Sequence, residues 1–263
     1  MLSVLSPAKK LDLTPPPIAV APTTPTLIND AQTLMRTTRG LTQAKIRELM
    51  KLSPELAKLN YDRYRSFELP FTPANATPAS FAFAGDVYRG LDARSLAKPD
   101  LEWAQERVLI LSGLFGLLRP LDLIQPYRLE MGTKLATRRG KNLYEFWGGR
   151  VRELLDSALE GHDDPSLVNL ASNEYFKAVQ VKQLDRRVIH IVFEDWKEDP
   201  DEGTVISFMA KVARGQMARY IITERVDRAE GLKDFALERY RFDGSRSSAT
   251  TWVFKRRFIP VGK

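Results

Sequence analysis

The 263-residue chain contains no cysteine, which excludes disulfide bonds, thiolate nucleophiles and cysteine-ligated metal sites. This composition fits a reducing compartment, and we expect a cytoplasmic protein. Only two histidines are present. His162 lies in the turn-like string GHDDP and is expected to be solvated, whereas His190 lies in the apolar run VIHIVF and is expected to be a strand residue. We therefore expect no cofactor and no metal site with nitrogen and sulfur ligands, although carboxylates could still hold magnesium.

Long apolar runs are also missing. No stretch approaches the ~18 apolar residues that span a bilayer. Two lysines follow the first apolar run instead of preceding it, which is unlike a signal peptide. Hydrophobic residues make up 43% and charged residues 28%, as in a globular protein with a sizeable core. We therefore expect no membrane association.

Positive charge is in excess and unevenly spread. The net charge is +7 and the isoelectric point is about 9.5, which favours anionic partners. Residues 193–203 carry six acids and one lysine, while the chain after Asp243 has no acid at all. That last segment contains the basic residues Arg246, Lys255, Arg256, Arg257 and Lys263. The charge is thus segregated along the sequence.

The periodicity of apolar residues predicts a mixed α/β fold. Helices are predicted at 27–38, as a pair within 42–66, and at 101–118, 142–159 and 210–225. Strands are predicted at 2–5, 166–170, 187–193, 204–209 and 250–255. The segment 14–26, rich in Pro and Thr, is predicted to be an extended connector. No repeat or low-complexity linker interrupts the chain, so we expect one compact domain, 1–263, with a central sheet flanked by helices.

Five polar stretches could carry chemistry, each with a structural alternative. One of them, residues 243–258, sets a hydroxyl-rich loop before a basic strand and could hold an anion or be an ordinary loop. In FAGDVYRGLDA, Asp86 and Tyr88 could act as acid and base, or Asp86 could simply start a helix. In residues 117–134, Arg119 and Arg128 suit phosphate or carboxylate, but could equally staple a loop to Asp122 or Glu130.

The other two stretches follow or form regular elements. Ser172 and Lys177 follow a predicted strand and could face a ligand crevice, or Ser172 could cap a helix. Lys211 and Arg214 form a basic stripe on the last long helix, which suits phosphate contacts or a solvated face.

The opening string MLSVLSPAKKLD is open to two interpretations. Ser6-Pro7 ends a short apolar strand, and two lysines follow. The segment could be an ordinary turn, or Lys9 could be a cation placed at the end of a central strand.

These stretches together resemble the YaaA family of bacterial peroxide-stress proteins. The resemblance runs along the whole chain and rests on LSPAKKLD (5–12), FTPANA (71–76), FAGDVYRGL (83–91), LSGLFGLLRPLDLIQPYRLEMG (111–132), FWG (146–148), NLASNEYFK (169–177), AKVARGQMARYI (210–221) and FKR (254–256). It implies a protein that helps limit unincorporated iron and oxidative damage to DNA and protein during hydrogen peroxide stress. It also implies a DNA-binding role, for which we expect contact with double-stranded or distorted DNA without sequence preference; we further expect a monomer.

The resemblance further implies where DNA would bind. A helix-hairpin-helix element would correspond to the helix pair at 42–66, whose turn, MKLSPELA, has no glycine. Its cations are Lys45, Arg47, Lys51, Lys58, Arg63 and Arg65. A basic cleft would draw on Lys9, Arg119, Tyr127, Arg128, Lys177, Lys211 and Arg214.

Acids lie in the same blocks as the cleft cations, which keeps an alternative open. The candidate catalytic residues are Asp86, Tyr88, Asp122 and Glu130. Because a carboxylate repels phosphate, these acids are not what a DNA-coating surface needs, and the alternative is an enzyme that acts on a nucleotide, nucleobase or other small anion. Direct iron storage is the weakest hypothesis, because no cluster of His and Glu has the helical spacing of a di-iron site.

Overall fold

The computed structural model describes residues 1–258, so Lys263 lies outside the described residues. A seven-stranded sheet runs through the centre of the molecule in the order β10-β11-β9-β8-β1-β5-β6. Its parallel strands are β1 (Leu2–Leu5), β5 (Val108–Ser112), β8 (Leu167–Asn169), β9 (Val188–Trp196) and β11 (Thr251–Arg257). The antiparallel strands β6 (Gly116–Leu118) and β10 (Arg241–Asp243) form the two edges.

Two small antiparallel pairs lie outside this sheet. They join β2 (Lys10–Leu11) to β4 (Phe83–Ala84), and β3 (Thr77–Pro78) to β7 (Leu123–Ile124). Single 3₁₀ turns are found at Ala93–Ser95, Lys177–Val179, Val181–Gln183, Pro200–Glu202, Ala229–Asp234 and Leu237–Arg239.

Ten α-helices surround the sheet in the described part of the chain. They are α1 (Ile28–Arg39), α2 (Gln43–Met50), α3 (Pro54–Ser66), α4 (Ala79–Ala82), α5 (Asp86–Leu91), α6 (Lys98–Ala104), α7 (Leu143–Trp147), α8 (Arg150–Glu160), α9 (Asn173–Phe176) and α10 (Ser207–Thr223). One continuous apolar core joins them to the sheet, and the fold is the single mixed α/β domain predicted from the sequence. None of the helices within residues 1–258 has both the length and the apolar character needed to cross a bilayer.

The order of the strands creates a topological switch point. The chain leaves β1 towards β5 on one side, and leaves β8 towards β9 on the other. Neighbouring parallel strands whose connections diverge in this way leave a crevice outside their carboxyl ends, where ligands commonly bind in α/β proteins. A ligand site is therefore expected at the segments that follow Leu5 and Asn169.

Helices α5 and α10 pack with their backbones in contact. A Cβ atom at Gly215 would lie 1.8 Å from the Val87 carbonyl oxygen, and one at Gly90 would lie 2.1 Å from the Val212 carbonyl oxygen. Only glycine allows this approach at both positions. The contact fixes α10 against the segment that carries Asp86 and Tyr88.

Several predicted elements are confirmed. The strands at 2–5, 166–170, 187–193 and 250–255 and the helices at 27–38 and 210–225 are present, with ends shifted by a few residues. The pair of helices at 42–66 is also present. Residues 14–26, all described, form neither helix nor strand apart from a single bridge between Thr23 and Asp122.

Three predicted elements are wrong. The helix at 101–118 is instead α6 followed by β5 and β6, because a fully buried parallel strand reads as a continuous apolar run, as a buried helix does. The helix at 142–159 is two helices, separated at Gly148, where φ is +50°. The strand at 204–209 is a single bridge from Thr204 to Asp195, and α10 begins at Ser207.

The charges that are segregated in sequence are paired in space. The parallel register of β9 and β11 sets Lys255 opposite Glu194 and Arg256 opposite Asp195. Arg256 Nε lies 2.6 Å from the buried Asp195 Oδ1, and Arg246 Nη2 lies 3.2 Å from Glu194 Oε2. The basic C-terminal segment and the acidic 193–203 segment therefore neutralise each other in part.

Candidate functional site

The carboxyl ends of β1 and β8 are tied together by two serines. The Ser172 backbone N–H donates to Ser6 Oγ at 2.9 Å, and Ser6 Oγ donates to Ser172 Oγ at 3.3 Å. Among the described residues the Ser172 side chain makes no capping hydrogen bond to α9, although its position is that of the cap. The Tyr88 hydroxyl donates to the Ser6 carbonyl at 3.1 Å. We call the region around Ser6, Lys9, Tyr88, Glu130 and Ser172 the switch crevice.

Glu130 holds two cations at the switch crevice. Its Oε1 atom lies 2.9 Å from Lys9 Nζ and 3.0 Å from Arg128 Nη2. The Lys9 side chain is 66% exposed, while those of Glu130 and Arg128 are only 21% and 16% exposed. Two cations on one carboxylate leave one net positive charge, so the group as a whole attracts anions.

Three buried tyrosines lie beside these charges. Tyr127 shares a hydrogen bond of 2.7 Å with Ser112 Oγ, at the carboxyl end of β5. Burial raises the pKa of Tyr88, Tyr127 and Tyr175 above the ordinary value of a phenol. All three are therefore neutral hydrogen-bond donors near pH 7, and Tyr88 is unsuited to act as a base.

The helix pair α2–α3 is joined directly to the switch crevice. The Tyr64 hydroxyl on α3 donates to the Arg128 carbonyl. Its neighbour Arg63 is half-buried, and burial together with the nearby Arg128 charge lowers the pKa of the Arg63 guanidinium. Arg63 of the helix pair thus lies near Arg128 of the crevice.

The turn between α2 and α3 is sharp although it contains no glycine. Lys51 takes a left-handed conformation with φ of 51°, a position that glycine usually occupies. The Thr42 and Ser53 hydroxyls cap the two helices by accepting from the amides of Lys45 and Leu56. Lys51 is exposed at the end of this turn.

A groove of about 690 Å³ runs between α2 and the segment after Glu130. We call it the hairpin groove; it is lined by Thr37, Leu41, Lys45, Glu48, Leu49, Lys51, Gly132, Lys134, Leu135 and Ala136. Lys45 Nζ is bonded to Glu48 at 3.1 Å. Within residues 1–258, Lys51 and Lys134 have no carboxylate within 4 Å, so both charges are available to an anion. The Gly132 amide, which donates to Glu174 Oε1, links the groove to α9.

Three arginines of the predicted cleft have unused hydrogen-bonding capacity. The Nε atoms of Arg119, Arg128 and Arg214 are buried and have no partner in the described part of the chain. Burial also lowers the pKa of Arg214, and no carboxylate of residues 1–258 lies within 4 Å of it. Leaving a buried donor unpaired is costly, which is typical of a group that serves a ligand.

The structure separates Arg119 and Asp122 from the rest of the predicted cleft. Strand β6 returns antiparallel to β5, so that Leu118 pairs with Ile110 and Arg119 emerges near the amino ends of the parallel strands. Arg119 Nη2 lies 3.3 Å from the buried Asp122, which also accepts from Thr23 Oγ1 at 2.6 Å. This is the loop-stapling alternative considered for the sequence.

The remaining predicted residues are Asp86, Lys177, Lys211 and three cations of the helix pair. Asp86 starts α5 and lies 3.9 Å from Arg89. Lys177 is exposed over the Tyr144 ring, and Lys211 is exposed on α10. On the helix pair, Lys58 is bonded to Asp62 at 2.7 Å and Arg65 stacks on Tyr61, while Arg47 is exposed.

Sequence reasoning did not select several residues of this site. They are Ser6, Ser112, Tyr64, Lys134 and Tyr175. The position of Ser6 just after a strand was a usable signal, because ligand-binding side chains gather there. Tyr64 and Lys134 carried no such signal, since only the folded chain brings α3 and residues 132–136 together.

His162 is less solvated than the sequence predicted. Its Nδ1 atom lies 3.2 Å from the Met1 backbone nitrogen, and its pKa is lowered to about 4, chiefly by burial and then by nearby positive charge. His190 is the strand residue that was predicted, with Nδ1 at 3.0 Å from Asn169 Nδ2. Nowhere in the described residues do three or more His, Asp or Glu side chains gather as a metal site.

Comparison with known proteins identifies the family. The family description that matches is "Peroxide stress protein YaaA", and the match covers residues 1–246. The chain belongs to this family. A UPF0246 protein of Burkholderia mallei (strain SAVP1) is 52% identical over 259 residues, which cover 98% of this chain and 99% of the relative. A UPF0246 protein of Bordetella petrii is 52% identical over 257 residues, or 98% of this chain and 100% of the relative. The resemblance to the YaaA family seen in the sequence is thus confirmed.

Proposed function

We propose that this YaaA-family protein acts in the peroxide-stress response by binding double-stranded or distorted DNA through its phosphate backbone. By doing so it helps limit unincorporated iron and oxidative damage to DNA and protein. The helix pair α2–α3 serves as the helix-hairpin-helix-like element, and the switch crevice contributes the cleft. The binding reads charge and shape instead of base sequence.

The observation that carries this proposal is the bond between Tyr64 and Arg128. It holds α3 against the Lys9–Glu130–Arg128 cluster, which supports binding of the helix pair and of the crevice to the same DNA molecule. A surface of this kind suits a polyanion with regularly spaced phosphates. Its cations are Lys9, Lys45, Lys51, Arg63, Arg128 and Lys134.

The most direct genetic test reverses charge in the hairpin groove. The double variant Lys51→Glu/Lys134→Glu should bind a short DNA duplex at least about tenfold more weakly in low salt, because two attractive contacts become repulsive. Lys182→Glu is the matched control, since Lys182 is exposed outside both the groove and the crevice. Unchanged affinity in the double variant, measured by fluorescence anisotropy, would exclude the groove from DNA binding.

A small anionic ligand, such as a nucleotide, is the second candidate for the switch crevice. The unpartnered Nε atoms of Arg128 and Arg214 favour it, together with the neutral phenols nearby. Tyr88 and Glu130 are the predicted acid–base residues described at the switch crevice; Tyr88 is neutral, and Glu130 Oε1 already binds two cations. Stabilisation by a nucleoside monophosphate that is lost in Arg214→Met and retained in Arg119→Met would support this candidate. No stabilisation by any nucleotide would count against it.

A further inference from the structure

A cavity of about 400 Å³ lies at the amino ends of β1 and β5, at the opposite end of the sheet from the switch crevice. We call it the amino-edge cavity. The four residues of β1 separate the two regions by about 13 Å, so one small molecule cannot fill both. The lining residues are Leu2, Thr26, Gln105, Glu106, Arg107, Leu109, Leu117, Leu118, Arg119, Asp122, Leu154, Ala158, Gly161 and His162.

Half of the lining residues are polar or charged, and most of the others are leucines. The leucines come from β1, β5, β6 and α8. Leu2 and Leu118 are each 1% exposed, so this part of the lining belongs to the core of the domain. A preformed cavity of this size with an apolar part falls in the range that holds small organic ligands.

The polar groups that accept hydrogen bonds are already used. Gln105 Oε1 accepts from the Leu121 amide at 2.6 Å, and its Nε2 donates to Thr23 Oγ1 at 3.1 Å. Asp122 accepts from the Arg119 amide at 2.7 Å and from the Thr23 hydroxyl. Glu106 is 82% exposed and lies 3.8 Å from Arg107, which makes it a weak partner in water.

The donors, in contrast, are not used up. Arg107 donates from Nη1 to the Glu106 carbonyl at 3.1 Å, and its Nη2 atom has no hydrogen-bond partner in the described part of the chain. The guanidinium carbon of Arg107 lies 5.2 Å from the centre of the Trp103 ring, a cation–π contact that helps to hold the side chain. His162 adds a further donor, because Nδ1 faces the Met1 nitrogen and the ring hydrogen is then on Nε2.

We propose that the amino-edge cavity binds a small carboxylate with an apolar body, whose charged end lies against Arg107 and whose body lies among the leucines. A guanidinium nitrogen without a partner beside a group of leucines calls for a ligand with acceptors at one end and an apolar body. Because Glu106 and Asp122 offset the charges of Arg107 and Arg119, the lining has no surplus positive charge for a phosphate dianion, and a single carboxylate is the most that Arg107 serves.

The test uses sodium octanoate as the probe and isothermal titration calorimetry of the full chain at pH 7. We expect saturable binding of one octanoate per chain, and binding of octan-1-ol at least about tenfold weaker, because the alcohol lacks the charge that the arginine donors require. Arg107→Met should weaken octanoate binding by about tenfold or more, while the exposed Arg187→Met should leave it unchanged.

A second variant keeps the test independent of the stability of Arg107→Met. Ala158 is exposed on α8 at the rim of the cavity, so Ala158→Phe narrows the entrance without entering the core. This variant should abolish octanoate binding while its thermal unfolding stays like that of the unaltered protein. The proposal is overturned if octanoate does not bind, if octan-1-ol binds equally well, or if Ala158→Phe retains full binding.

Discussion

Tyr64 of α3 donates its hydroxyl hydrogen to the backbone carbonyl of Arg128, in the segment that precedes Glu130. Tyr64 is 1% exposed, and burial raises the pKa of its phenol, so it is a neutral donor. This bond is one of several contacts that hold the helix pair in place, since Glu68, just after α3, also exchanges two hydrogen bonds with Gln125. Tyr64 is the contact that reaches Arg128 itself.

Removing this hydroxyl should affect both stability and binding. Tyr64→Phe keeps the ring but leaves the Arg128 carbonyl without its partner, which should lower the free energy of unfolding by about 1–3 kcal/mol. DNA affinity should fall as well, because α3 is no longer held against the cluster. Denaturant unfolding and anisotropy titrations measure the two effects.

The control for this prediction is Tyr61→Phe. Tyr61 is half-buried beneath Arg65 on the same helix, and its ring alone makes that contact. This variant should behave like the unaltered protein in both measurements. Equal behaviour of Tyr64→Phe and Tyr61→Phe would contradict the linking role of Tyr64.

Two variants of the Lys9–Glu130 pair should change anion binding in opposite directions. Lys9→Met removes an exposed cation, so it should weaken DNA binding by several-fold and change stability by less than about 1 kcal/mol. Glu130→Gln releases Lys9 and Arg128 from their shared carboxylate and should strengthen binding. Anisotropy titrations of both variants provide the check.

If Glu130 were instead a general acid or base, the second variant would give a different result. Glu130→Gln would then leave DNA affinity nearly unchanged and abolish turnover of a small substrate. A Lys9→Met protein that does not fold would show that the segment after β1 is a purely structural turn.

Because α5 and α10 are in close contact, one added methyl group between them should greatly lower the stability of the protein. Gly215→Ala should destabilise the protein by about 3 kcal/mol, because the new Cβ would lie within 2.7 Å of the Leu91 amide and closer still to the Val87 carbonyl. Gly161→Ala is the matched control, since a Cβ there meets no atom within 4 Å. Similar unfolding midpoints for the two variants would contradict the packing described here.

The two histidines allow a direct test of the environment at the amino edge. The pKa of His162 should be about 4, below the ordinary 6.5, because burial and neighbouring positive charge disfavour the imidazolium. Between these two values the unfolded chain binds the proton and the folded chain does not. The free energy of unfolding is therefore highest above pH 6.5, where His162 is neutral in both states, and it decreases as the pH falls from 6.5 towards 4.

Nuclear magnetic resonance of the imidazole signals measures this pKa. His162→Gln assigns the signal and should make stability less dependent on pH between 6.5 and 5. A midpoint near 6.5 for His162 would show that the ring is open to water and not held at the cavity.

The sequence predicted most of the sheet and the helix pair, because the spacing of apolar residues and the residues that cap helices are local signals. It failed at 101–118, where a buried strand and a buried helix have the same apolar composition. This error affected the predicted site. With a helix at 101–118, Arg119 and Arg128 were expected to lie in the same cleft. The antiparallel return of β6 takes Arg119 to the opposite end of the sheet.

Contacts between distant segments explain the rest of what the sequence could not show. Lys9 and Glu130 are far apart in the chain, and so are Tyr64 and Arg128, yet each pair is in contact. The resemblance to the YaaA family assigned Lys9 and Arg128 to one cleft without giving their partners, and it did not point to Tyr64. Strand order and the packing of α3 determine those partners.

The salt dependence of DNA binding tests the central proposal most directly. If the hairpin groove and the switch crevice neutralise phosphates, the logarithm of the association constant should fall linearly with the logarithm of salt concentration, with a slope of about −0.9 for each phosphate contacted. We expect a slope near −4 for the unaltered protein and a slope about 2 units shallower for Lys51→Glu/Lys134→Glu. A slope near zero, or the same slope in both proteins, would contradict the account.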